Sequence, residues 1–159
     1  MADALVASGH YRIQRRMRPR PKVQAPPGTE LKQALFVDVE TTGLDHQSDE
    51  IIELAMVPFT YGPEGQIYEV QEPFQSFHQP TKPISAEITR LTGITDDMVA
   101  GHAIDPREVE AFAKDMILVV AHNAAFDRRF MERLSSFPSQ FLSIRLVQKK
   151  PRRSIWSAE

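Results

Sequence analysis

The sequence predicts an α/β fold, a mixed β-sheet with helices packed on it, and three observations predict it. Leu35–Glu40 is a short run in which Leu35, Val37 and Val39 alternate with Phe36, Asp38 and Glu40, the pattern of a strand whose side chains take opposite faces. Two apolar strand-like runs flank Tyr61-Gly62-Pro63-Glu64-Gly65, whose glycines and proline mark a turn and hence antiparallel pairing. Ile117–Ala121 is wholly apolar and is followed at once by a helical pattern, as in a buried strand feeding a helix. The body reads β-β-β-α-α-β-α.

The first strand is predicted over about 34–40. Apolar residues on both its faces suggest burial inside the sheet. It ends in Asp38 and Glu40, two residues apart and therefore on one face. Carboxylates at the end of such a strand are costly unless solvated, paired or bound to a cation, and a pair in this spacing can share one hard divalent ion. A strand that merely emerges into water is the more frequent explanation of an isolated Asp-x-Glu. Thr41-Thr42-Gly43 makes a polar turn in which Gly43 lets a backbone or ligand approach closely. Asp45–Asp49 is a polar loop, and Glu50–Phe59 reads as the second strand, with Glu53 at an exposed or hydrogen-bonded position. A third strand begins near Gln66 and extends towards Phe77, interrupted at Pro73.

Helical signals follow. Ser85 is placed to cap Ala86–Thr92, which Gly93 ends. Thr95 can cap a second short segment whose Asp96 and Asp97 suit the positive end of the helix dipole. Asp105-Pro106-Arg107-Glu108 combines a cap, proline at the first position and an acid three after the cap. Val109, Phe112, Ala113 and Met116 give that helix its apolar face. After the strand 117–121, Asn123 can cap a helix from Ala124 to about Ser135, with Phe126, Phe130, Leu134 and Phe137 as its core stripe. Asp127 stands on the flank of that stripe. Proximity to the helix N-terminus accounts for it; so does a role at the end of the preceding strand.

If the strands carrying Asp38 and leading to Asp127 are neighbours, three carboxylates converge at one sheet end, where ligand sites of open α/β sheets gather. Oxygen-rich clusters suit magnesium or manganese. Two such ions about 4 Å apart bind the attacking and leaving oxygens of a phosphodiester.

The bulk properties agree with a soluble domain. The 159 residues are 42% hydrophobic and 25% charged, enough for one domain with a real core. There is no cysteine, which excludes disulfides, thiolate zinc sites and cysteine nucleophiles. No apolar run approaches the ~20 residues of a membrane span, and the N-terminus lacks the apolar core of a secretory signal; a cytoplasmic location without membrane association is expected. The net charge of −2 conceals an acidic body between basic ends. Residues 1–27 hold Arg12, Arg15, Arg16, Arg18, Arg20 and Lys22 against Asp3, and 145–159 hold Arg145, Lys149, Lys150, Arg152 and Arg153 against Glu159. Such a body can gather cations at its centre and a polyanion at its edges; two solvated tails are the plain alternative. Residues 1–30, broken by Pro19, Pro21, Pro26, Pro27 and Gly28, are expected to be a disordered basic arm, 31–137 the folded domain and 138–159 a basic tail.

Phe36-Val37-Asp38-Val39-Glu40-Thr41-Thr42-Gly43-Leu44 resembles the first motif of the DEDD-type 3′–5′ exonucleases, the family of the proofreading epsilon subunit of bacterial DNA polymerase III and of ribonuclease T. Glu50–Ala55 fits that family's second strand, Leu91–Thr95 its mid-domain signature and His122-Asn123-Ala124-Ala125-Phe126-Asp127 its second motif. The resemblance covers about 34–137, in the family's order. It implies a ribonuclease H-like fold and metal-dependent hydrolysis at nucleic-acid 3′ ends by two Mg²⁺ or Mn²⁺ ions. Asp38, Glu40 and Asp127 would be three of four metal-binding carboxylates. Thr41, Thr42 and Gly43 would lie beside the terminal nucleotide, and His122, Asn123 and Phe126 would shape the substrate pocket. DNA is the expected polymer in preference to RNA, with a DNA polymerase as a further candidate partner.

The family's third motif, a general-base His followed five residues later by the fourth carboxylate, has no counterpart: no His follows His122 and no Asp follows Asp127. Phe141, Leu142, Ile144, Leu146 and Val147 suffice for one short strand. The sequence thus reads as a family member truncated before that motif, with the C-terminal part of the fold missing and little or no activity of its own. A non-catalytic remnant that binds nucleic acid or a polymerase is the alternative, and a fragment too incomplete to fold stably is a third.

Overall fold

A computed structural model of the chain describes residue 8 and residues 21–134. Nine elements follow in order: β1 (Lys32–Thr41), β2 (Ile51–Tyr61), β3 (Ile67–Val70), β4 (Phe74–Phe77), α1 (Ala86–Thr92), α2 (Asp96–Val99), α3 (Pro106–Ala113), β5 (Leu118–Val120) and α4 (Ala124–Leu134). The expected third strand is two strands, parted at Glu72-Pro73. Both pair antiparallel with β2, β4 along its first half and β3 along its last three residues. Pro73 has no N–H to give a ladder, so the strand breaks there and resumes. Three helices separate β4 from β5, one at each of the three helix starts the sequence carries.

The sheet order is β3-β2-β1-β5, with β4 also on β2. β1 pairs antiparallel with β2 in a register that sets Phe36 opposite Val57, Asp38 opposite Ala55 and Glu40 opposite Glu53. The register shifts between Glu40 and Thr41, a bulge of the kind that re-aims side chains beside functional sites. β1 and β5 run parallel, with Phe36 opposite Val120. Their C-terminal ends therefore lie at one edge of the sheet, which is the neighbour relation the carboxylate cluster requires.

Caps stand where the sequence puts them. The Ser85 hydroxyl accepts from Ile88 N, and Gly93 closes α1 at φ 80°, a backbone region that glycine enters without strain. Asp105 accepts from Arg107 N at the start of α3. Thr95 makes no side-chain cap; Asp96 instead accepts from Ile84 N at 2.9 Å and ties α2 to the loop before α1. The Asn123 cap is also a backbone one, its carbonyl accepting from Phe126 N at 2.7 Å.

The main core lies on one face of β1. Leu35, Val37 and Val39 pack with Ile51, Leu54 and Met56 of β2, Val109 and Ala113 of α3, and Phe130 and Met131 of α4. Of the expected stripe on α4, Phe130 is buried and Phe126 and Leu134 are partly so; Phe137 lies outside the described residues. The other face is buried at its start, where Ala34 packs with Phe59 and Val120 in a smaller cluster. On the same face Phe36 is 45% exposed and rests on Phe59, ring centroids 4.8 Å apart. Burial on both faces therefore holds at Ala34 and fails at Phe36, which no described element covers.

Lys22 and Val23, expected within a disordered arm, lie beside β3: Val23 N donates to Tyr68 O at 2.7 Å and Lys22 pairs with Glu69 at 2.7 Å. Residues 1–20 of the arm, apart from residue 8, and the tail 138–159 lie outside the described residues. No described helix is long and apolar enough to cross a membrane.

Candidate functional site

β1 delivers Asp38, exposed, and Glu40, half-buried, from the face opposite the main core. α4 delivers Asp127 from its first turn, only 6% exposed. The helix is held to β1 by Phe130 and Met131 in the shared core, so packing dictates that Asp127 meets the end of the strand. A buried carboxylate is destabilised in its charged form. Burial raises the Asp127 pKa above the ordinary carboxylate value and the charge of Asp38 raises it further. The backbone amides of Asp127 itself and of Val39, together with His122, work the other way. Burial also raises Glu40, followed by the charges of Asp38, Glu53 and Asp127. The three acids singled out from the sequence are thus close enough to repel one another.

Glu53 is a fourth acid in this field, and sequence reasoning assigned it only a structural place. It lies opposite Glu40 in the β1–β2 register and accepts from Gln75 Nε2. Counting the antiparallel register through the turn would have found it. Among the described residues no group of three or more His, Asp or Glu side chains stands, as placed, in an arrangement able to hold a metal ion. The donor chemistry, hard oxygens around a buried carboxylate of raised pKa, nonetheless suits a hard divalent cation.

The turn after β1 is occupied with itself. Thr41 Oγ1 donates to Gly43 O at 2.6 Å; Thr42 Oγ1 donates to Asp49 Oδ1 at 3.2 Å and accepts from Glu50 N at 3.0 Å. A Cβ on Gly43 would come within 2.4 Å of Asp49 Oδ2, so glycine is needed there to admit a side chain of the same loop. Both hydroxyls are engaged inside the turn.

Beside the carboxylates a cavity of about 240 Å³ is lined by Leu44, His46, Asn123, Ala125, Phe126 and Arg129. Asn123 and Phe126 were anticipated. Leu44, 85% exposed, and Arg129 were not, because an exposed leucine and a helix-surface arginine carry no distinguishing signal in sequence. His122 is exposed and does not line the cavity; its charge bears on Asp127 instead.

The family model described as Exonuclease, of the RNase T group, matches residues 35–136. The chain belongs to the DEDD-type 3′–5′ exonuclease family. It is 41% identical over 128 residues to the PolC-type DNA polymerase III of Staphylococcus haemolyticus (strain JCSC1435), an alignment covering 75% of this chain and 8% of the relative. The PolC-type DNA polymerase III of Bacillus subtilis (strain 168) is 46% identical over 97 residues, 59% of this chain and 6% of the relative. The chain therefore spans less than a tenth of the length of these curated relatives. Among solved structures, E. coli exonuclease I in complex with a dA16 oligonucleotide superposes with a TM-score of 0.50 at 18% identity, covering 65% of this chain and 23% of that one. The fold is ribonuclease H-like, a mixed sheet flanked by helices.

Proposed function

We propose that this domain binds the 3′ end of a DNA strand and places its last phosphodiester beside Asp38, Glu40 and Asp127, which would hold Mg²⁺ or Mn²⁺. The observation that carries this reading is the burial of Asp127 against the acidic end of β1. A carboxylate held at 6% exposure beside others of like charge is unfavourable for a metal-free fold, and a divalent cation offsets that repulsion. When bound, a pair of such ions polarises the phosphodiester and favours ionisation of the attacking water. The chain's own residues do the rest. Glu53 adds negative charge behind Glu40. Leu44 and Phe126 offer apolar surface to a terminal base, and Arg129 and His46 line the same cavity with groups that suit a phosphate. Relatives that are DNA polymerases, and a fold neighbour solved with a DNA oligonucleotide, support DNA over RNA and a polymerase as partner.

The 159 residues hold no His after His122 and no Asp after Asp127, so the general base and fourth carboxylate expected from the family are not supplied by this sequence. Loss of a general base commonly costs ~10²–10⁴-fold in rate. The chain by itself is expected to shorten 5′-labelled single strands in Mn²⁺ barely above background. Brisk stepwise shortening, abolished by Asp38→Ala, would show that the residues present suffice. The same two missing groups favour a second reading, a domain that binds 3′ ends without cutting them. Strand binding that survives without hydrolysis and weakens steeply with salt supports it.

A further inference from the structure

Residues 42–50 form a loop that is closed on itself. Asp45 accepts from Gln47 N at 3.0 Å and from Ser48 Oγ at 2.8 Å, and its carbonyl accepts from Asp49 N at 2.8 Å. Asp49 Oδ2 accepts from Asp45 N at 2.9 Å and Thr42 N donates to Glu50 O at 2.9 Å. This small rigid body carries Leu44 and His46, one wall of the 240 Å³ cavity; the opposite wall, Asn123 to Arg129, belongs to α4 and the turn before it.

Among the described residues the loop is hydrogen-bonded to α4 through one side chain. Arg133 Nη1 donates to His46 O and, at 2.9 Å, to Asp49 O. Among the described residues these are the hydrogen bonds that a side chain of α4 gives to the loop, and Arg133 takes part in no ion pair. A helix-surface arginine is ordinarily solvated. This guanidinium instead caps two main-chain carbonyls from a distant part of the sequence, and its planar donor group suits neighbouring acceptors better than an ammonium does. Arg133 also borders a second cavity of about 130 Å³, with Asp49, Glu50, Ile51, His78, Phe130 and Leu134, beneath the same loop.

We infer that Arg133 is a positioning residue: it clasps the 42–50 loop to α4 and so fixes the distance between Leu44 and His46 on one side of the substrate cavity and Phe126 and Arg129 on the other. The part of this inference that concerns a nucleotide rests on the nucleic-acid reading above; the clasp itself does not. One guanidinium sets both the loop wall and, through α4, the helix that carries Asp127.

Hydrogen exchange and binding of a 5′-fluorescein oligothymidylate in Mn²⁺, measured on the whole chain and on Arg133→Met and Arg133→Lys, test it. In Arg133→Met, exchange of the amides of Ser48, Asp49 and Glu50 accelerates about tenfold or more, the equivalent of one net hydrogen bond, while β2 beyond Leu54 and α3 keep their protection. Oligonucleotide affinity falls by a similar factor. Arg133→Lys keeps the charge but not the fork and is intermediate in both. Unchanged loop exchange in Arg133→Met overturns the clasp. Arg133→Lys binding as well as wild type, with no change in loop exchange in either variant, assigns Arg133 to plain phosphate attraction and overturns it too. A wild-type chain that does not bind the oligonucleotide removes the nucleic-acid reading and the seating role with it, and loop exchange then decides the clasp. Should Arg133→Met fail to fold, the graded response of Arg133→Lys decides.

Discussion

Replacing Asp127 by asparagine is expected to stabilise the metal-free protein near pH 7. Burial and the neighbouring Asp38 raise the Asp127 pKa, so the native state binds this proton more tightly than the unfolded chain does. Between the ordinary carboxylate value of about 4 and the raised native value, the native state carries more protons, and stability falls as pH rises through that window. The full destabilisation persists above it. Glu40 is raised by burial and by Asp38, Glu53 and Asp127 and acts with the same sign. Asparagine keeps the size of the side chain and an oxygen for the Val39 amide but carries no charge. Its melting temperature should exceed that of wild type near neutral pH, by roughly 2–4 °C for each kcal/mol of repulsion relieved, and the gap should close below about pH 4. Asp45, held below the ordinary range chiefly by the backbone amide of Gln47, acts oppositely but is common to both proteins and cancels in the comparison. An Asp127→Asn protein less stable than wild type at neutral pH would mean that the charge is favourable in the fold even without a cation.

Phe130→Ala is expected to cost about 3–5 kcal/mol in denaturant unfolding. Phe130 is 2% exposed and stands where α4 meets the buried face of β1, its ring 4.9 Å from that of Phe126. The cavity left behind would sit directly beneath the helix turn carrying Asp127, one turn earlier in the chain. Stability and site geometry therefore depend on the same aromatic. A loss below about 1 kcal/mol would indicate that the helix is not anchored there.

The parts of this molecule legible in the sequence are those set by local chemistry. Ser85, Gly93 and the Asp105-Pro106 start mark helix ends because capping is a property of a few consecutive residues. The Asp38–Glu40 pair and Asp127 were legible because strand alternation and a buried acid in an amphipathic helix both stand out. What was not legible depends on register or on distant contacts. Glu53 joins the acidic cluster only once the β1–β2 pairing is known. Gly43 makes room for the side chain of Asp49, six residues on. Leu44, Arg129 and Arg133 look like ordinary surface residues until α4 is laid beside the loop. Phe36 misled in the other direction, because an apolar residue in a strand implies a cover that the sequence does not identify.

The central claim is that Asp38, Glu40 and Asp127 share a divalent cation, and calorimetric titration with Mn²⁺ tests it most directly. The account predicts saturable binding by the wild-type chain that Asp38→Asn, Glu40→Gln and Asp127→Asn each weaken by about tenfold or more. Wild-type protein that binds no Mn²⁺, or binding that survives all three substitutions unchanged, would contradict it.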